Sequence, residues 1–172
     1  MDLENDLKIV YQQALKTPEL YDLLPYTIPE SFMEFQKMYS SREKHILYGC
    51  WLDNELVGMI GFLAYRREHR SIEIGPILIF KDYQKRKLGL EAGILLARFA
   101  LDDLAMLRVE WKCHHLNIVS KNCALKIGFV YEGCLRNHMW VKGAHRDTQY
   151  FSMIAQEKEI KLKYMESVLN KM

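Results

Sequence analysis

Cysteine is scarce in this chain of 172 residues: it occurs at 50, 113, 123 and 134 only, and no two positions have CxxC or metal-finger spacing. That argues against a structural zinc site or a disulfide framework, and no metal is expected; the thiols read as reduced, partly buried groups of a cytosolic protein. Charge of one sign is also lacking. Lysine and arginine number 24 against 22 aspartates and glutamates, net +2, with no long basic run. Nucleic-acid binding would call for a clustered basic face, so no nucleic-acid partner is expected. Long hydrophobic runs are absent too. The most apolar windows, at 56–65 and 92–101, fall far short of a bilayer span, and the second contains Arg98. The start carries Asp2, Glu4 and Asp6 and has no apolar core of a signal peptide. There is no internal repeat and no low-complexity tract. What is present is a 49% hydrophobic chain, long enough for one domain with a real core and short for two. The expectation is a single domain over 1–172, soluble, cytoplasmic and without a membrane partner.

Apolar residues at Leu7, Val10, Tyr11 and Ala14 predict an amphipathic helix over 3–15. Thr17-Pro18 stops it, and Pro18 can start a short turn of helix reaching Leu24. Pro29-Glu30-Ser31 opens a second helix, to about Met38. Strands are expected over 45–52 and 56–65 as a hairpin around Asp53-Asn54, and over 71–80. A helix follows from 88 to 104 with Leu90, Ile94, Leu95, Phe99 and Leu101 as its apolar side. Then come a strand at 107–112, a short helix at 119–127 and a strand at 129–134. A hairpin of 138–141 and 147–155 around Lys142-Gly143, and a closing helix over 156–169, complete the chain. This order implies an α/β (α+β layered) fold. Residues 1–41 form a helical front, 45–155 the core and 156–172 a C-terminal helix.

Three stretches carry chemistry. Gln84, Lys85, Arg86, Lys87, Leu88 and Gly89 lie where a buried strand runs into a helix. The first amides of a helix have no internal partners and its dipole favours an anion, so this cationic loop suits a pyrophosphate. A solvated basic turn is the plain alternative. Before it, Gly75-Pro76 breaks the regular strand ladder, compatible with free backbone groups on Ile77, Leu78 and Ile79 facing a ligand; a simple strand kink would look the same. Glu73 alternates with Ile72 and Ile74 and points to the opposite face. It could take a proton as a general base, or it could be salt-bridged to Arg66, Arg67 or Arg70. Asn117 and Ser120 begin a short helix, where either could be an N-cap or could meet a bound ligand.

These stretches in this order resemble the GNAT superfamily of acetyl-CoA-dependent N-acetyltransferases, and within it the RimJ/RimL-type branch. The likeness runs from about residue 20 to 157. It rests on Glu19-Leu20-Tyr21-Asp22-Leu23-Leu24-Pro25-Tyr26, Ile72-Glu73-Ile74-Gly75, Glu110-Trp111-Lys112-Cys113, the run from Asn117 to Phe129, Glu132-Gly133, and Lys142-Gly143 with Arg146-Asp147-Thr148. The family loop is Gln or Arg, two variable residues, Gly, one variable residue, then Gly or Ala. Gln84 and Gly89 match it, and Lys87 stands in place of the first Gly.

The resemblance implies a mixed, mostly antiparallel sheet of six or seven strands flanked by helices, although the family's usual first strand is not evident. It implies acetyl-CoA as co-substrate, lying in a V-shaped gap between the strands at 73–80 and 107–112. Ile77, Leu78, Ile79, Gln84, Lys85, Arg86, Lys87, Leu88, Gly89, Asn117 and Asn122 would meet it. Glu73 falls eleven residues before Gln84, where several relatives place a general base. Many relatives protonate the leaving thiolate with a Tyr at the position of Ala124; Ser120 matches the serine that RimL-like enzymes use instead. The implied activity is direct acetyl transfer, in a ternary complex, to a primary amine of a small molecule or a peptide. The acceptor would enter past Leu24-Pro25-Tyr26 and the hairpin near His138 to Trp140, and a homodimer is left open. The competing reading is a non-catalytic CoA-binding or interaction module that keeps the fold.

Overall fold

The apolar stripe near the N-terminus does form a helix, α1 (Asn5–Lys16), which buries Leu7, Val10, Tyr11 and Ala14 on one side. The computed structural model describes residues 1–40 and 45–172; the expected boundary at 41 lies outside them. Pro18 opens a 3-10 turn (Pro18–Tyr21), shorter than the helical run to Leu24. α2 (Phe32–Ser40) follows, with Phe35 and Tyr39 buried. Strands β1 (His45–Leu52) and β2 (Glu55–Arg66) form the first hairpin. Asp53 (φ 48°) and Asn54 (φ 64°) both take the left-handed conformation that a two-residue turn between twisted strands requires.

The chain continues through β3 (Ser71–Ile79), α3 (Leu88–Leu101), β4 (Arg108–His114) and α4 (Ile118–Ile127). β5 (Val130–Val141), β6 (Ala144–Ile154) and α5 (Lys158–Leu169) complete it. The six strands form one open sheet in the order β1-β2-β3-β4-β6-β5, antiparallel except for the β3/β4 pair. Two features differ from the sequence reading. α3 ends at Leu101, and its packed side is Gly93, Ile94, Ala97, Ala100 and Leu101, while Leu95 (52% exposed) and Phe99 (37% exposed) turn outward. A side chain at Gly93 would collide with Ile127 and crowd Trp111, so glycine lets α3 sit close against α4 and β4. The two strands expected at 129–134 and 138–141 are one strand, β5. From Leu135 to Met139 it takes four steps while β6 takes two, from Thr148 to Arg146. Asn137, at φ 50°, makes that excursion, and its N–H donates to Asp147 Oδ1 at 2.7 Å.

The sheet has two unlike faces. On one, Ile60, Phe62, Ile72, Ile74, Val109, Trp111, Phe151 and Met153 pack beneath α3, α4 and α5. On the other, α1 and α2 cover β1 to β3 through Leu47, Leu56, Met59, Leu78 and Phe80. Where that second face continues onto β4 and β6 it turns polar: strand alternation puts Arg108, Glu110, Lys112 and His114 opposite Val109, Trp111 and Cys113.

Candidate active site

β3 and β4 run together for only four residues each, Ser71 with Arg108 through Ile74 with Trp111. Beyond that, β3 stays with β2 as far as Ile79 and β4 stays with β6 as far as His114, so the two strands part. The parting begins at Gly75-Pro76, where three steps of β3, Ile74 to Ile77, face two of β2. Phe80 N–H donates to Val57 O at 2.9 Å, so alternation turns the peptide groups of Leu78 toward β2 and those of Ile77 and Ile79 into the gap. Of the three strand residues expected to meet a ligand through backbone, two face it. Leu78 is buried, its side chain packed beneath the front helices.

The loop at Gln84 closes the wide end of that gap. Gln84 Nε2 donates to Ile79 O at 3.2 Å, fastening the loop to the end of β3. Lys87 holds φ 63° at the N-cap of α3 and Lys85 holds φ 67°. Lys87 thus follows the backbone path a glycine would take, at a cost of roughly 1–2 kcal/mol for a side chain in that conformation. No side chain caps α3, and among the described residues the N–H groups of Leu88 and Gly89 have no acceptor. A Cβ added at Gly89 would make only ordinary contact, 3.5 Å, with Ile79. Lys85, Arg86 and Lys87 are exposed, with Arg86 over the Tyr83 ring at 5.0 Å. Uncapped amides, three cations and the strand peptide groups of Ile77 and Ile79 that face the gap, the Ile79 carbonyl already taken by Gln84, fit a diphosphate carrying an extended amide chain.

At the other lip of the gap, Asn117 is the N-cap of α4, its Oδ1 accepting from Ser120 N–H at 2.9 Å. Ser120 Oγ accepts the indole hydrogen of Trp111 Nε1 at 3.0 Å, which leaves its own hydroxyl hydrogen free to donate. Burial pushes the Cys113 thiol up, with the Ser120 hydroxyl beside it acting the other way. Ala124 is fully buried in the core beneath α4, and Asn122 is exposed on the helix.

Glu73 lies on the polar face. Its partner is none of the three arginines considered above but Lys112, whose Nζ is 2.6 Å from Glu73 Oε2 and 2.9 Å from Glu110 Oε2. Glu110 in turn meets Arg108 at 2.9 Å and Arg66 at 3.5 Å, and Arg108 grips Glu132 with both guanidinium ends. Ser152 Oγ completes the chain by donating to Glu132 at 2.7 Å. Burial raises the Glu110 carboxyl, but Arg108 and Lys112 outweigh it and bring it down to about 2. Burial likewise lowers Lys112, and Glu73 and Glu110 together lift it above the usual lysine value.

The front of this face is closed by parts distant in sequence. Lys142, at the β5–β6 turn, donates to the carbonyls of Tyr21 and Asp22. Tyr39 O–H donates to Tyr26 Oη at 3.2 Å; burial raises the Tyr26 phenol, the Tyr39 hydrogen bond opposes that, and Glu73 adds to the rise. Tyr150 lies under Lys112 Nζ at 5.0 Å, and His138 meets Thr148 at 3.0 Å. Glu110, Lys112, Tyr150 and Arg146 were not assigned a role from sequence. The alternation Arg108, Glu110, Lys112 against Val109, Trp111, Cys113 is the signal that marks a strand with one charged face. A concavity of about 660 Å³ at the β5 bulge, lined by Cys134, Leu135, Arg136, Asn137 and Asp147, includes none of the expected site residues.

Comparison with known proteins agrees with this geometry. The family described as acetyltransferase (GNAT) domain matches residues 3–130. YoaA of Bacillus subtilis, an uncharacterised N-acetyltransferase, is 31% identical over 58% of this chain and 56% of its own length. YdaF of the same organism, whose name assigns it provisionally to ribosomal N-acetylation, is 31% identical over 64% of this chain and 60% of its own. The match therefore spans less than two thirds of these relatives. A crystal structure described as a probable GNAT-family acetyltransferase from Chromobacterium violaceum superposes with a TM-score of 0.83 at 29% identity, covering 92% of this chain and 82% of that one. By the family match and the parted strands above an uncapped helix, the chain belongs to the GNAT acetyltransferase domain family.

Proposed function

We propose that the protein is an acetyl-CoA-dependent N-acetyltransferase of the RimJ/RimL type, working in the cytoplasm as a single domain. Its reaction would be direct transfer to a primary amine within a ternary complex. The observation that carries this reading is the parting of β3 from β4 above the uncapped start of α3. The peptide groups of Ile77 and Ile79 hold the extended amide arm of the co-substrate, and the amides of Leu88 and Gly89, with Lys85, Arg86 and Lys87, hold its pyrophosphate. Leu78 and Gln84 shape that cradle from behind, the first by packing and the second by its bond to Ile79. When bound, acetyl-CoA supplies an acetyl thioester.

Glu73 faces the opposite side of the sheet and takes a proton from the acceptor ammonium, directly or through one water. Its ion pair with Lys112 orients the carboxylate, so deprotonation of the amine is coupled to a charge network rather than to an isolated acid. The N–C bond forms as the C–S bond breaks. Strand amides meet the negative charge that develops on the carbonyl oxygen. Ser120, its oxygen held by Trp111, gives its hydroxyl hydrogen to the departing sulfur and recovers a proton from the nitrogen of the new amide, the second that the ammonium loses. Asn117 serves this step by capping α4 and fixing Ser120, and Asn122 lies on the exposed side of the same helix.

Two acceptor classes stand open at this point, a peptide amine, as the name of YdaF has it for that protein, and a small-molecule amine. Calorimetric titration with acetyl-CoA and with desulfo-CoA tests the cofactor reading. Micromolar binding of both is expected, with thiol release when amines are added. Absence of binding at millimolar cofactor would leave an interaction module with this fold.

A further inference from the structure

We propose that the amine acceptor carries a carboxylate and that Arg146 holds it; this rests on the transferase reading above. Arg146 is 6% exposed and lies in β6 beside Met139 of β5. A guanidinium keeps its proton under all ordinary conditions, so a full positive charge is buried here. Yet Arg146 enters no ion pair among the described residues. Its Nη1 donates to Thr148 Oγ1 and to Met139 Sδ at 3.6 Å. Its Nε is buried with no hydrogen-bond partner among the described residues. Nε and Nη2 form the edge of the guanidinium that receives a carboxylate through two parallel hydrogen bonds. With Nη1 engaged, that edge is the one left over.

The surroundings argue for an anion from outside. Alternation puts Arg146 on the same face of β6 as Thr148 and Tyr150, and Tyr150 pairs with Lys112. The polar face thus brings Arg66, Arg108, Lys112 and Arg146 against Glu73, Glu110 and Glu132. Six of these seven charges belong to the linked chain described above. Arg146 is the cation outside it. An acceptor that presents its amine to Glu73 and its carboxylate to Arg146 would complete the pairing of both ends. A polyamine would bring further positive charge to a cation that has no ion pair among the described residues. A peptide N-terminus would offer the same edge only a neutral carbonyl. The acceptor class is therefore a small amino acid or a similar amino-carboxylate.

The test uses the full chain with acetyl-CoA and matched acceptors: each common amino acid beside its own amide, with spermidine as a polycation. Thiol release gives kcat/KM for every member. At least one acid is expected to exceed its amide by about 10- to 100-fold, as for hydrogen bonds to a charged group. Arg146→Gln should bring that acid down to the level of its amide while the calorimetric Kd for acetyl-CoA stays unchanged, and Arg146→Lys should recover part of the difference. Amides or spermidine acetylated as well as the acids by the unaltered protein would overturn the inference. So would an equal loss for both members of a pair in Arg146→Gln, or acetyl-CoA bound with no amine acetylated. A carboxylate that binds without being acetylated and without competing with the amine would make Arg146 an effector site instead, and would also overturn it. Failure to bind acetyl-CoA at all is a different result: it removes the transferase reading on which this rests. The acid–amide comparison in the unaltered protein stands even if the variants do not fold.

Discussion

The proposed cofactor side and the proposed acceptor side of this molecule are built in different ways. The cofactor side is nearly continuous in sequence: one strand, one loop and the first turn of one helix, from Gly75 to Gly89. The groups proposed to hold the co-substrate there are mostly backbone, the peptides of Ile77, Ile79, Leu88 and Gly89. The acceptor side is made of side chains brought together from far apart: Glu73, Lys112 and Arg146 on three strands, with Tyr21 and Asp22 clamped by Lys142. A backbone site tolerates side-chain change as long as its path is kept, whereas a site of buried, paired charges depends on every partner. Substitutions on the acceptor side should therefore cost more than those on the cofactor side.

Glu73→Gln is the largest expected break. If Glu73 is the base, kcat should fall by about 10²–10⁴-fold. Acetyl-CoA binding, measured by calorimetry, should remain within about twofold, because the cradle lies across the gap on other residues. Unchanged turnover would remove Glu73 from the chemistry and leave it as the structural partner of Lys112.

Glu110→Gln probes the same charge chain through stability. Glu110 has a side chain 11% exposed and sits between Arg108, Lys112 and Arg66. Its folded carboxyl value, about 2, lies below the ordinary 4.5. The stabilisation is therefore full above about pH 4.5 and is lost as pH falls toward 2. Removing the charge takes one of two carboxylates from Arg108 and from Lys112 and also the partner of the half-exposed Arg66, and a loss of about 2–3 kcal/mol at pH 7, as the lowered carboxyl implies, is expected from urea unfolding. Between pH 5 and 3 the unaltered protein should lose stability more steeply than the variant. Parallel curves would mean that Glu110 is not the group that titrates.

The same contrast decides what could be read from the sequence. Leu7, Val10, Tyr11 and Ala14 marked α1, and Asp53-Asn54 and Lys142-Gly143 marked both hairpins, because period and turn chemistry are local. The Gln84 loop was legible for the same reason. The partner of Glu73 was not. Arg66, Arg67 and Arg70 are its near neighbours in the chain, but β3/β4 pairing sets Glu73 opposite Glu110 and within reach of Lys112. Nothing in residues 71–80 states which strand β3 will lie beside. In the sequence Arg146 stands out only as part of a motif; its burial and the unsatisfied Nε appear once β5 and β6 pair around it. Asn117 and Ser120 fall between these cases: the cap is local and is found, while the Trp111 bond that holds the hydroxyl of Ser120 comes from the preceding strand.

The smallest expected effect belongs to the cofactor side and sharpens the comparison from there. Lys87 keeps the helix-start path at φ 63° where the family pattern has glycine, so Lys87→Gly should relieve strain without moving the loop. The gain is partly offset by the greater freedom of glycine in the unfolded chain, leaving about 0.5–1 kcal/mol of added stability. For a chain of this size that is a rise in melting temperature of about 2 °C. The variant also removes one of three cations beside the proposed pyrophosphate position. Acetyl-CoA affinity should then weaken by less than about tenfold, as for a solvent-exposed charge. If affinity instead rises, the strain at Lys87 costs the site more than its charge contributes, and backbone path governs the cofactor side entirely. A loss of stability would mean that Lys87 supports the loop through its side chain, and the division between a backbone-built side and a side-chain-built side would no longer hold.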